Sequence, residues 1–198
     1  DVYKRQGDYL STDILDLGKT VNAFGLYRLY AGCDGEEYRF NGATVLPGDF
    51  TFYAIQGRYF MRIDFEAGEG TREREGKNLV NDFLSRLQRV IPPPEPLPRT
   101  IDHLMKIARK PCEVGYHPEH IDYDLESGPG FSWIGPKGGT FFLRFLASSE
   151  DTELYATGLR SKGVKTVLSS GKGVVWPKLH KEDNAIYLRE ILSKVSEE

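Results

Sequence analysis

Apolar residues recur along this chain with two periods, and the change from one to the other marks out its elements. Ile14-Leu15-Asp16-Leu17 has the length and composition of a short, mostly buried strand, and Gly18 ends it. After Thr20, expected to cap a helix with its hydroxyl, Val21, Phe24, Tyr27 and Tyr30 return every third residue beside Ala23 and Leu26, which predicts a helix laid on a sheet. Gly25 falls inside it at a cost of about 1 kcal/mol relative to Ala, so either the helix ends near it or a neighbouring backbone packs closely there, the latter being the expectation. Gly32-Cys33-Asp34-Gly35 and Leu46-Pro47-Gly48-Asp49 read as turns, and residues 36–45 between them as a polar connection with at most one weak strand. Two strands follow, Phe50–Ile55 and Tyr59–Phe65, flanking Gln56-Gly57. They are expected as a hairpin with Tyr59, Met61, Ile63 and Phe65 packed and Arg62 and Asp64 in water. Beyond a charged turn at residues 68–76, Leu79, Val80, Phe83, Leu84, Leu87 and Ile91 form the stripe of an amphipathic helix that should cover the hairpin.

Pro92-Pro93-Pro94-Glu95-Pro96-Leu97-Pro98 stops that helix, since proline lacks an amide hydrogen and moves its predecessor out of the α region. Residues 92–99 are therefore expected as an extended linker. Thr100–Lys110, with Ile101, Leu104, Met105 and Ala108, predicts a further helix; residues 116–139 read as irregular and Thr140–Leu146 as a strand. Ser148 or Ser149 should cap a helix through Leu154, Tyr155 and Leu159, with Glu150, Asp151 and Glu153 at its positive end. Val164–Leu168, Val174–Trp176 and Ala185–Ile191 read as strands. The fold class is α+β: two related small domains, residues 7–91 and 100–198, each an antiparallel sheet covered by helices. The relation between them is one of order, strand then helix at residues 14–30 and again at 142–162, an internal repeat offset by about 130 residues.

Composition narrows the class of function. With 39% hydrophobic and 28% charged residues the chain can bury a core, and a net charge of -3 gives no electrostatic reason to expect nucleic acid. No segment offers the ~20 apolar residues of a membrane span. Residues 1–6, DVYKRQ, match the translation of a transposase adapter used in sequencing libraries. They are read as a non-native remnant on a metagenomic fragment, expected to make no essential contact.

Asp16-Leu17-Gly18 and Asn22-Ala23-Phe24-Gly25-Leu26-Tyr27, followed by Gly57-Arg58-Tyr59-Phe60 and Arg62-Ile63, resemble the pattern of a family of uncharacterised bacterial proteins, a domain of unknown function. The resemblance covers about residues 10–91 well and the remainder loosely. Members of that family typically begin with a secretory or lipoprotein signal. The resemblance therefore implies a periplasmic, secreted or lipid-anchored location, and it carries over no catalytic residue.

The densest group of chemically able side chains is His117-Pro118-Glu119-His120 with Asp122 and Asp124. Its spacing does not put two imidazoles on one helical face, and Pro118 points to a loop, so neither metal nor catalysis is assigned to it. Tyr116, His117, His120, Asp124 and Trp133 are the candidate ligand-binding residues, with Phe131 beside them, although aromatic residues here are as readily core. Cys33 and Cys112 form no metal or redox motif and read as free thiols; an extracytoplasmic location would let them pair. Ser169-Ser170-Gly171-Lys172-Gly173 lacks the first glycine and the final Ser/Thr of a phosphate loop and reads as a hairpin turn, and no motif calls for a cofactor. These residues favour a binding or interaction module without catalysis. The alternatives are an enzyme with its site in the His117 loop and a structural domain of a longer secreted protein.

Overall fold

The computed structural model describes residues 3–5, 8–66, 73–118, 128–136, 138–165, 167–177, 188–189 and 191–193. The chain is α+β and divides into two compact units, Asp1–Leu97 and Pro98–Glu198, each with one antiparallel sheet and its helices.

In the first unit the elements are β1 (Tyr3–Arg5), β2 (Asp8–Asp16), α1 (Thr20–Ala31), β3 (Tyr38–Phe40), β4 (Ala43–Leu46), β5 (Thr51–Gln56), β6 (Tyr59–Glu66) and α2 (Glu73–Leu87). The sheet order is β1-β2-β6-β5-β4-β3. A meander from β3 to β6 brings its last strand back against β2, from Tyr9 opposite Glu66 to Asp16 opposite Tyr59. Alternation then sorts the side chains onto two faces. On one, Leu10, Ala43, Val45, Phe52, Ala54, Met61 and Ile63 make a core with Val80, Leu84 and Leu87 of α2. Full burial of each large apolar chain contributes about 1.5–3 kcal/mol. On the other face, Tyr53 and Phe60 stack with Tyr30 of α1 at centroid separations of 5.5 to 6.2 Å. The two helices thus cover opposite faces.

The hairpin matches the sequence pattern, with the turn one residue later, at Gly57-Arg58, where Gly57 has φ 55°; α2 forms as expected but begins at Glu73, inside the expected turn, and ends at Leu87, before Ile91. The second face of β6 is only partly wet, because Phe60 is buried beneath α1. The opening strand is longer and more open than its apolar run suggests. β1 flanks only Asp8–Leu10, and beyond it Ile14 and Leu15 are 42% and 46% exposed. Thr20 is the first helical residue rather than the cap, and its hydroxyl donates to the Glu95 carbonyl at 3.3 Å. Asp16 and Asn22 shape the turn instead, Asp16 accepting from the Gly18 amide and Asn22 donating to the Leu17 carbonyl, both at 3.0 Å. Tyr30 is more exposed than the stripe implied, at 54%, although its ring stacks on Tyr53 and Phe60 of the sheet. Residues 36–45 hold two strands, not one. Asn41 and Gly42 join them at φ 48° and 82°, the double left-handed conformation of a type I′ hairpin turn. Tyr3–Arg5, inside the adapter-like stretch, forms a backbone ladder with β2.

The proline run lies on the first unit. A Cβ on Gly57 would stand 3.0 Å from Pro94 Cα, and one on Gly42 would stand 3.7 Å from Pro94 Cγ, so the segment straps both hairpin turns.

The second unit contains α3 (Arg99–Ile107), a 3-10 turn (Pro111–Glu113), β7 (Gly115–His117), β8 (Gly130–Gly135), β9 (Gly139–Phe145), α4 (Ser149–Ser161), β10 (Leu168–Ser170) and β11 (Gly173–Pro177). The sheet order is β10-β11-β9-β8-β7. Phe142, Val174 and Trp176 pack on Tyr155, Ala156 and Leu159 of α4. The opposite face carries Trp133, Phe141 and Leu143, and Leu192 lies against it, 3.3 Å from where a Gly173 Cβ would stand. Ser148 caps α4 as its sequence predicts, accepting from the Asp151 amide at 3.1 Å. Leu154 instead faces water.

Three expectations for this half are corrected. The stretch 116–139 is not irregular throughout, since it contains most of β7 and all of β8. The strand expected at Val164–Leu168 begins at Leu168. Residues 188–189 and 191–193 are helical rather than extended, with Leu188, Ile191 and Leu192 buried at the i, i+3, i+4 spacing of a helix face. Both units share one rule of connection. The strand before the crossover helix, β2 or β9, pairs antiparallel with the second strand of the last hairpin, β6 or β11.

The strap makes a glycine contrast measurable. Gly18 and Gly57 both have positive φ, but a Cβ at Gly18 meets nothing within 4 Å, whereas one at Gly57 meets Pro94. Gly18→Ala is expected to cost about 1 kcal/mol from backbone strain alone, and Gly57→Ala clearly more, about 2–3 kcal/mol. Urea denaturation of the two variants checks this, and equal losses would mean that the strap yields freely.

Candidate functional site

Of the sequence candidates, Tyr116, His117 and Trp133 fall on β7 and β8 of the second unit. Strand alternation separates them: Tyr116 pairs with Phe131 on one face, while His117 pairs with Gly130 on the other. On the first face Tyr116 and Phe131 pack at a centroid distance of 5.2 Å, and burial raises the Tyr116 phenol above its ordinary pKa. Trp133 shares that face, is wholly buried and stacks on Phe141 at 5.5 Å, so it is core and not the wall of an open groove. On the second face His117 Nε2 and Ser132 Oγ form a 2.8 Å hydrogen bond, both residues half-buried. His120 and Asp124 lie outside the described residues. Among the described residues, no cluster of His, Cys, Asp and Glu is placed to hold a metal ion.

The 3-10 turn sets where β7 begins. Glu113 accepts from the Lys110 amide at 3.2 Å and pairs with Arg109, whose own amide donates to the Ile134 carbonyl of β8 at 2.8 Å. The Arg109 hydrogen bonds hold the Glu113 carboxyl below its ordinary pKa. Cys112 sits in this turn, and Cys33 in the turn after α1. Neither is the free thiol expected from the sequence, because both are disulfide-bonded.

The first unit carries a surface that its sequence did not announce as a site. Leu15 lies opposite Phe60 on the face that Phe60 shares with Tyr53, and Tyr30 stacks on both rings. Leu15 and Tyr30 are 46% and 54% exposed, so the patch is apolar and open to water. Arg62 and Asp64, paired at 3.2 Å, stand on the same face of β6 as Phe60, and Arg58 pairs with Asp16 at 2.9 Å at the hairpin end. Behind α1, Tyr27 donates to Glu37 at 3.0 Å and Arg28 pairs with the same carboxylate; burial, then the Glu37 charge, raise the Tyr27 phenol far above its ordinary pKa and keep it a donor. The aromatic stripe is visible in the sequence, but its spacing alone implies an entirely inward face, whereas Tyr30 is 54% exposed.

The strap and Gln56–Tyr59 line a half-open cleft of about 40 Å³, space for about three waters. Comparison of the chain with protein-family models, with curated proteins and with solved structures finds no match.

The Glu113 carboxylate should stabilise the second unit above the ordinary carboxylate pKa, and this contribution should fade as acid titrates it through its depressed value. Glu113→Gln is therefore expected to be less stable than the wild type at pH 7 and equal to it in strong acid; a pH-independent difference in urea midpoints would refute the assignment. Denatured without reductant, the chain should give no reaction with a thiol reagent, and after reduction it should give two equivalents, one for each of its 2 cysteines.

Proposed function

We propose that this chain is a binding or interaction module that works outside the cytoplasm and has no catalytic role of its own. The observation that carries the reading is the exposed apolar patch of Leu15, Tyr30 and Tyr53 over Phe60. Exposing rings and an aliphatic chain together is unfavourable unless something covers them, and aromatic side chains are the ones that protein and ligand surfaces use as anchors. The Arg62–Asp64 pair on the same face supplies a polar rim. The oxidised cysteines support an oxidising compartment, in line with the location that the family resemblance implies. The shared connection of the two sheets supports reading them as diverged copies of one α+β unit.

A second reading rests on the His117–Ser132 hydrogen bond, since a histidine in contact with a serine hydroxyl can act as its general base. Both readings can be tested on one preparation. Titrations followed by NMR with cell-envelope glycans, lipid headgroups and peptides should find a ligand class whose affinity falls at least tenfold in Leu15→Asp/Tyr30→Asp, while the circular dichroism of the variant stays unchanged. Binding that survives this double substitution, or no binding by any class, defeats the patch as the site. Ester or amide hydrolysis that Ser132→Ala abolishes would replace the binding reading with the enzymatic one.

A further inference from the structure

The cleft under the proline strap has a buried polar floor. Strand alternation puts Gln56 on the face of Phe52 and Ala54, and Tyr59, its partner across the ladder, on the face of Met61 and Ile63. Gln56 is 2% exposed, and its Oε1 is a buried acceptor with no hydrogen-bond partner. An acceptor left unmatched inside a protein is costly, so a group that brings a donor to it is favoured. Pro92-Pro93-Pro94 of the strap also line the cleft, and three residues without amide hydrogens cannot supply that donor. Tyr59 is held beside Gln56. The Arg58 guanidinium lies 5.4 Å from the centre of its ring and donates to its hydroxyl at 3.3 Å, so the phenol proton remains to be given to another acceptor. The strap is tied down as well, since Pro94 packs on Gly57 and the Thr20 hydroxyl donates to the Glu95 carbonyl. Arg58, paired with Asp16, and Glu95 complete the lining, and both are exposed.

We propose that this cleft binds the acetamido group of an N-acetylated amino sugar. The N–H of that group donates to Gln56 Oε1, its carbonyl accepts the Tyr59 phenol proton, and its methyl lies against the proline rings. The volume agrees: about 40 Å³, room for about three waters, takes a methyl, a carbonyl and an N–H and leaves the sugar ring outside. There the Arg58 guanidinium and the Glu95 carboxylate offer a donor and an acceptor to ring hydroxyls. The alkyl chain of an acetylated lysine would leave both unused, and a bare hydroxyl in the cleft would bring the donor but no methyl for the prolines. A few placed polar groups in a largely apolar lining are how a cleft fixes a small ligand. The site stands on the other face of the sheet from the aromatic patch, and the inference does not rest on that patch.

Titration of the full chain with N-acetylglucosamine, glucose and N-acetyl-lysine, followed by NMR, tests the proposal. N-acetylglucosamine should shift the backbone amides of residues 56–59 and the Gln56 side-chain amide, and should bind about tenfold tighter than glucose. Gln56→Leu, similar in volume and without the orphan acceptor, should weaken that binding about tenfold and yet raise the urea midpoint, the reverse of what a glutamine kept for structure alone would give. Tyr59→Phe should weaken it about fivefold, the loss of one hydrogen bond. Binding that survives Gln56→Leu, equal binding of glucose, or N-acetyl-lysine binding as tightly as the sugar would overturn the proposal. So would the absence of shifts at residues 56–59, the outcome if the cleft takes water only. Should Gln56→Leu fail to fold, Tyr59→Phe decides, and an unchanged affinity there overturns the proposal. Leu15→Asp/Tyr30→Asp should leave N-acetylglucosamine binding as it is. If the shifts fall instead on Leu15 and Tyr30 and vanish in that double variant, the cleft proposal falls and the patch reading stands.

Discussion

The ladder between β2 and β6 is the constraint on which the first unit depends. It joins residues 9–16 to residues 59–66, so it closes the chain around α1 and the β3–β4–β5 meander. Met61 and Ile63 lie at its centre, wholly buried, and it is their burial that gives α2 a surface to cover. Phe60 points the other way from the same strand and gives α1 its ring contacts. One strand therefore anchors both helices. Anything that weakens β6 should loosen the two layers together, because neither amphipathic helix of this length is stable in water alone.

The second unit repeats this logic with different side chains. β9 and β11 form the central pair, Phe142 and Trp176 serve the α4 face, and Leu143 and Val175 the other. Cores built on such a pair gather residues distant in sequence, which makes their assembly slower than that of a helical bundle and places the burden of order on local turns. The turns carry it with different chemistry in each place. Asn41-Gly42 uses two left-handed residues, Gly57 one, and Ser148 caps a helix with its hydroxyl.

How much of this was legible in the sequence follows from what each signal measures. The β5–β6 hairpin and α2 were legible because their apolar residues hold a single period for long enough to exclude the other. The hairpin at Asn41-Gly42 was missed although its turn dipeptide is diagnostic, because Tyr38-Arg39-Phe40 and Ala43–Leu46 are too short for periodicity to register. Leu188, Ile191 and Leu192 could be read as strand or helix, and only their common burial decides it. The candidate residues near His117 were chosen by proximity along the chain, whereas in a strand neighbours in sequence point apart. Tyr116 and His117 are adjacent and on opposite faces, and the partner that His117 does meet, Ser132, comes from the next strand. The aromatic patch was hidden for a related reason: its members Leu15, Tyr30, Tyr53 and Phe60 come from four elements, and no local window contains them.

Among the described residues β2 is paired on one side only beyond Leu10, which gives that strand two dynamic characters at once. Between Ser11 and Asp16, amides directed at β6 are held in a ladder flanked by the core, while their immediate neighbours face outward. Hydrogen exchange along these six residues would then alternate, residue by residue, between the slow rate of a sheet interior and the fast rate of solvated backbone. A strand with such an imprint records its own occupancy: whatever settles on the outer edge would turn the alternation into uniform protection.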